Sequence, residues 1–226
     1  MKKARFMLTG ILAVFLMVGS AWADSYYFPD NTINWPGWTP QYTSDVIGIP
    51  SVSSLSVVTD ASNNLQTVVV NMTDRNVVVD EWINGDNGAV SFDALFINTT
   101  GVYEAWNYYV EDIYGDNASG ATLYSVGNAY TYKLATQPYP GLNGRWGHPA
   151  GIADGTPISG ILASVIWDGA ANTLTYSFNQ GIVLGQGFQI GYSEWCANDV
   201  VLTPEPLSLL LLGLGLIGIA GIRRKF

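Results

Sequence analysis

From residue 24 to residue 203 no stretch of useful length repeats apolar residues at the spacing of an amphipathic helix. Short β-branched and aromatic runs recur instead, broken by Gly, Asn, Asp and Pro. These runs predict strands at 52–59, 65–72, 76–82, 89–98, 102–111, 129–136, 158–167, 173–178, 182–193 and 200–202. Leu174, Tyr176 and Phe178 alternate with Thr173, Thr175 and Ser177, which is the pattern of one packed and one solvated face. Val68, Val69 and Val70, like Val77, Val78 and Val79, are apolar on both faces and suit central strands. Asp74-Arg75 and the run Asn84-Gly85-Asp86-Asn87-Gly88 read as turns. Ten short strands without a helix predict an all-β body, an antiparallel two-sheet β-sandwich of the jelly-roll or lectin-like kind. Two stretches break the rhythm. Residues 25–50 are rich in aromatics and prolines and are expected to lie across a sheet or cover an edge; residues 137–157 read as one long Gly/Pro-rich loop of the sort that often carries function.

Both ends of the chain differ from the body. Lys2, Lys3 and Arg5 precede an apolar run at 6–19, and Ala21-Trp22-Ala23 forms an A-x-A site. This is a cleavable signal peptide over 1–23, with a mature chain starting at Asp24; a retained N-terminal anchor is the alternative. At the other end Pro204-Glu205-Pro206 precedes an uncharged stretch, 207–222, and then Arg223, Arg224 and Lys225. Those 16 residues make roughly 24 Å of helix. A membrane span typically uses about 20 residues, so a single transmembrane helix here is marginal as a permanent anchor. Gly213, Gly215, Gly218 and Gly221 give it small faces for close packing against another helix. The basic cluster is a membrane stop, which places the C-terminus in the cytoplasm and the body outside. The chain thus divides into a signal at 1–23, a body at 24–203 and a tail at 204–226.

The order and spacing of the tail resemble the PEP-CTERM sorting signals of Gram-negative bacterial surface proteins. That resemblance implies an exosortase-type membrane protease as partner, an inner-membrane intermediate, and final release to the cell surface or the extracellular space. The run Cys196-Ala197-Asn198-Asp199-Val200 is similar to the ending of a group of PEP-CTERM surface domains. Tyr26-Tyr27-Phe28-Pro29-Asp30 and Phe92-Asp93-Ala94-Leu95-Phe96-Ile97 also fit that group. No catalytic residue is implied by the resemblance.

The body keeps three basic residues, Arg75, Lys133 and Arg145, against seventeen acids, for a formal charge of −14. Phosphate binding needs Lys and Arg, so nucleic acid is excluded as a partner, and acidic lipids and polyanionic sugars are disfavoured. Cys196 is the single cysteine, so the body has no internal disulfide framework. It reads as a small buried apolar side chain, with an intermolecular disulfide or lipid attachment as the other possibility.

Three acids sit beside apolar strand segments: Asp45, Asp93 and Asp199. Converging at strand ends they would supply oxygen ligands for calcium, the one cofactor the composition suggests. Acids capping turns through their own backbone would give the same pattern. Seven tryptophans remain in the body; Trp146, next to His148 in the long loop, is the best candidate for stacking on a sugar ring, against the simpler reading of Trp as core filler. His148 is the lone histidine, and no third group orients it toward Cys196, so the chain is expected not to be an enzyme. These readings converge on an exported structural component of the cell surface or extracellular matrix, associated with exopolysaccharide. A calcium-assisted carbohydrate-binding module is the second reading, and a glycoside-active enzyme using Glu81, Glu104, Glu111 or Glu194 is the third.

Overall fold

The structure, a computed structural model, describes residues 23–30, 35, 51–73, 93–102, 105–112, 121–135, 147–194 and 199–203. All regular elements among them are strands: β1 (Ser25–Pro29), β2 (Ser51–Thr59), β3 (Leu65–Thr73), β4 (Asp93–Asn98), β5 (Tyr108–Asp112), β6 (Thr122–Ser125), β7 (Tyr132–Leu134), β8 (Pro149–Ile152), β9 (Thr156–Ile158), β10 (Leu162–Asp168), β11 (Thr173–Phe178), β12 (Gln189–Ser193) and β13 (Val200–Leu202). Every pairing is antiparallel. One sheet runs β1-β2-β3-β11-β10, the second β13-β12-β4-β5-β6-β9, and β7-β8 forms a separate hairpin.

The two sheets share one apolar core, which makes the body a sandwich. Leu55, Val57, Val68, Val70, Leu174 and Tyr176 of the first sheet pack with Leu95, Ile97, Val110, Leu123, Ile190 and Tyr192 of the second. All lie at or near zero exposure, and burying each such side chain is worth about 1.5–3 kcal/mol. Period two explains the selection. Along β11 the residues alternate half-buried and buried, so Leu174, Tyr176 and Phe178 enter the core while the intervening hydroxyls face out. β3 is central, between β2 and β11, and its Val68 and Val70 are core residues.

The second sheet is covered on its outer face too. Phe96 and Tyr109 there meet Trp35, Trp106 and Ile152, with Tyr130 and Tyr132 at the margin. Trp35 lies 4.9 Å from Phe96 and 5.7 Å from Trp106 between ring centres, and the Trp106 indole N–H donates to the Tyr132 hydroxyl at 2.8 Å. This aromatic layer and the β7-β8 hairpin make a third stratum. Lys133 of β7 pairs with Glu111 of β5 at 2.5 Å.

Several expected strands differ in extent. The run 158–167 is two strands in different sheets, β9 and β10, because the chain crosses over between them; Gly160 takes φ +83°, which glycine adopts without steric cost. Of 182–193 only Gln189–Ser193 is a full strand; Ile182 and Leu184 are buried in the core on either side of Val183, which meets Asn64 in a single antiparallel bridge. Among the described residues of 102–111 the strand starts at Tyr108, and among those of 129–136 it covers Tyr132–Leu134. Within 25–50, β1 adds an edge strand to β2. The expected long loop contains β8. The strand and turn signals at 74–88 lie outside the described residues. So do 1–22 and 204–226, the stretches read from sequence as signal peptide and transmembrane tail. Among the described residues no helix is long and apolar enough to cross a membrane.

Candidate functional site

The body ends in a strand that is held at both of its ends. Register aligns Ala94 of β4, Ser193 of β12 and Val200 of β13 across the second sheet. One residue further out on the same rim come Asp93, Glu194 and Asp199, and Asp112 of β5 pairs with Asp93. The backbone therefore brings Asp93 and Asp199 to one end of one sheet, two strands apart. The side chain of Asp93 and all of Asp45 lie outside the described residues.

Asp199 is fully buried. Its Oδ2 accepts the Val52 N–H at 2.6 Å and its Oδ1 the Val200 N–H at 2.9 Å. Val52 sits in β2 of the opposite sheet, beside the bulge where the ladder to β3 changes register. The carboxylate therefore clasps the two sheets together while capping its own strand. A buried carboxylate is tolerated when such N–H donors replace water. At the far end of β13, Thr203 is 1% exposed; its N–H donates to the Ile190 carbonyl and its Oγ1 accepts the Ile190 N–H, both at 2.9 Å. Val200 and Val201 between these clamps are fully buried. The Ser193 hydroxyl donates to the Pro149 carbonyl at 3.0 Å, fixing the β8 hairpin to the same rim.

His148, named from sequence for ligand contact, is 2% exposed, and its carbonyl accepts the Ala135 N–H at 2.8 Å. Its ring is inside the body, not on a groove surface. Trp146 lies outside the described residues, as do Ala21, Pro204, Glu205, Pro206, Arg223, Arg224 and Lys225. Ala23 is exposed, and the first backbone bond of the body comes one residue later, from the Thr59 N–H to the Asp24 carbonyl at 2.9 Å. Trp35 and Trp106 are core filler at 1% and 2% exposure.

Burial keeps two hydroxyls of the outer aromatic layer neutral. Desolvation first, then the Glu111 carboxylate, raises the Tyr109 phenol far above its ordinary value. Desolvation and Tyr130 do the same for Tyr132. A cleft of about 540 Å³ lies where β6 and β9 face β10, lined by Thr122, Leu123, Pro157, Ile158, Leu162 and Ser164 among others. Its lining has neither an aromatic ring nor a charged group, so it offers a sugar ring no stacking face. Among the described residues no three His, Cys, Asp or Glu side chains are grouped to hold a metal ion.

Sequence reasoning missed Thr203 and Glu111 as structural anchors. The signal for Thr203 was its position, the residue between the expected strand end at Leu202 and Pro204.

The fold and this rim define a class: an all-β, two-sheet body whose last strand leads straight into the tail. Residues 202–225 match the family model described as the PEP-CTERM protein-sorting motif, so the resemblance of the tail is established by direct comparison. The motif is that of proteins exported through the membrane to the cell surface and processed by an exosortase-type membrane enzyme. Comparison with curated proteins gave no match, and comparison with solved structures gave none.

Proposed function

We infer that the protein is an exported structural component of the cell surface or extracellular matrix, delivered to an exopolysaccharide-associated envelope by its PEP-CTERM tail. The observation that carries this is the sorting motif at 202–225, which overlaps the last strand of the body. A signal at 1–23 starts export, the span at 207–222 holds an inner-membrane intermediate, and the exosortase-type enzyme reads Pro204-Glu205-Pro206 and removes the apolar span with its basic end. Two prolines fix φ and keep the motif out of helix, presenting Glu205 in extended form. A structural, non-catalytic body fits the use of two of the buried acids: Asp199 is held by backbone N–H groups and Glu111 by a lysine. The three crossings between the two large sheets, after β3, β9 and β11, support a sandwich of the jelly-roll or lectin-like kind. Intact mass and fractionation test the reading. The mature protein should lack residues 1–23 and the span after the motif, and should co-fractionate with exopolysaccharide. Glu205→Ala should leave export intact and trap the tailed form in the inner membrane. A main mature species that retains 207–226 would refute it.

The second reading, a calcium-assisted carbohydrate-binding module, draws on the register that sets Asp93, Glu194 and Asp199 along one rim. Calcium at about 100 times its dissociation constant would then add roughly 2.7 kcal/mol of stability. Thermal melts that are unchanged between calcium and chelator exclude this reading.

A further inference from the structure

Between the last anchored residue of the body and the first residue of the apolar span there are three residues, Pro204, Glu205 and Pro206. Thr203 is bonded through both its N–H and its hydroxyl to Ile190. Four Cα steps separate it from Leu207, and each extended step covers at most about 3.6 Å, so the reach is at most about 14 Å. With β13 docked, a bilayer span that starts at Leu207 would hold the sandwich within that reach of the membrane surface. A membrane protease has to close on an extended peptide from more than one side. If β13 leaves the sheet, the last ladder residue becomes Ser193 of β12, and the reach grows to more than about 40 Å.

We propose that Asp199 and Thr203 are positioning residues for tail processing: they dock β13 so near the membrane that the strand must come off the sheet before the motif can enter the enzyme. This rests on the processing reading above. The design of β13 suits a strand that detaches as a unit. It is three residues long and stands at the end of its sheet, and beside its short ladder and the buried Val200 and Val201 it is pinned at its two ends by the Asp199 clasp and the double bond at Thr203. Undocking withdraws Val200 and Val201 from the core but leaves β12 paired with β4. The body would then govern the rate at which its own tail is cut, and a chain still folding, with β13 undocked, would be processed ahead of one already folded.

The test is a pulse-chase of the full chain in the exporting host, following tail loss by mass. A flexible Gly/Ser spacer of about six residues between Thr203 and Pro204 touches no contact in the body. It should speed tail removal several-fold. Thr203→Val and Asp199→Asn should each speed removal in the native spacing and have no further effect once the spacer is present. That loss of effect is not expected of residues whose role is stability alone. A spacer that leaves the rate unchanged, or slows it, overturns the proposal, as would equal acceleration by Thr203→Val with and without the spacer. A tail retained in every variant, spacer included, refutes the processing reading itself.

Discussion

Gly191 is the position where this fold leaves no room for one carbon atom. It lies in β12, on the outer face of the second sheet, under the two tryptophans. A Cβ placed there would stand 2.9 Å from Trp35 Cη2, 3.1 Å from Trp106 Cη2 and 3.2 Å from Leu202 Cδ1. Ordinary contact begins near 3.4 Å, so all three neighbours must retreat. Two of them are the far edges of rigid indoles. Trp35 is also packed on Phe96, and Trp106 is hydrogen-bonded to Tyr132, so neither ring moves alone. Overpacking of this kind typically costs about 1–3 kcal/mol. Gly→Ala returns about 0.4–1 kcal/mol by restricting the unfolded chain. The expected net loss for Gly191→Ala is about 1–2 kcal/mol, or roughly 2–8 °C in melting temperature for a domain of this size. A double-mutant cycle sharpens the test. In a Trp35→Leu background, itself destabilised, the Gly191→Ala step should cost less than half as much, because the nearest clash is gone. Denaturant unfolding of the purified protein reads both. A Gly191→Ala protein as stable as the parent, or a cost unchanged by Trp35→Leu, would refute the packing argument.

The buried acids and the β2-β3 turn give further expected outcomes. Asp199→Ala strands two buried N–H groups at about 1–3 kcal/mol each, so chemical denaturation should show a loss of about 2–6 kcal/mol, with Asp199→Asn losing roughly half. Lys133→Met leaves Glu111 buried beside an apolar neighbour and should cost about 1–2 kcal/mol in the same assay, allowing for the solvent that reaches the lysine. Asp60 takes the Ser62 and Asn64 N–H groups in the β2-β3 turn, and the backbone bond from Asn64, first among its causes, holds its carboxyl below the ordinary value. A depressed folded value means the contribution is present above the unfolded pKa of about 4 and is lost as pH falls through the folded one. The difference in melting temperature between the parent and Asp60→Asn should therefore be constant near neutrality and shrink in acid; a pH-independent difference would contradict it.

Where period two and burial coincide, sequence and structure agree residue for residue, as in Thr173–Phe178; Val200–Leu202 keeps its expected bounds although its burial does not alternate. The disagreements have a common cause. Apolar runs at 158–167 and 182–193 report burial, and burial is shared by strands, crossovers and core segments that meet a neighbour at a single bridge. β8 was hidden by its own composition, since Pro149 opens it and Gly151 sits in the middle; proline is tolerated as the first residue of a strand. At the rim, Asp199 was legible as a residue of consequence, but its role depends on Val52, 147 positions away. His148 stood out as the one histidine in a glycine-rich stretch, and only the fold shows that it is enclosed. The tail was legible because its information is local: composition, order and distance along one segment.

The Asp199 clasp also decides how the body would carry a pull. Tension applied beyond Thr203 enters β13 along its axis, where it meets the ladder to β12 in shear. At the head of that strand the carboxylate passes part of the load to Val52, and so to the five-stranded sheet across the core. Both sheets share the load for as long as β13 stays docked, and the five-stranded sheet drops out of the path once the Asp199 clasp opens.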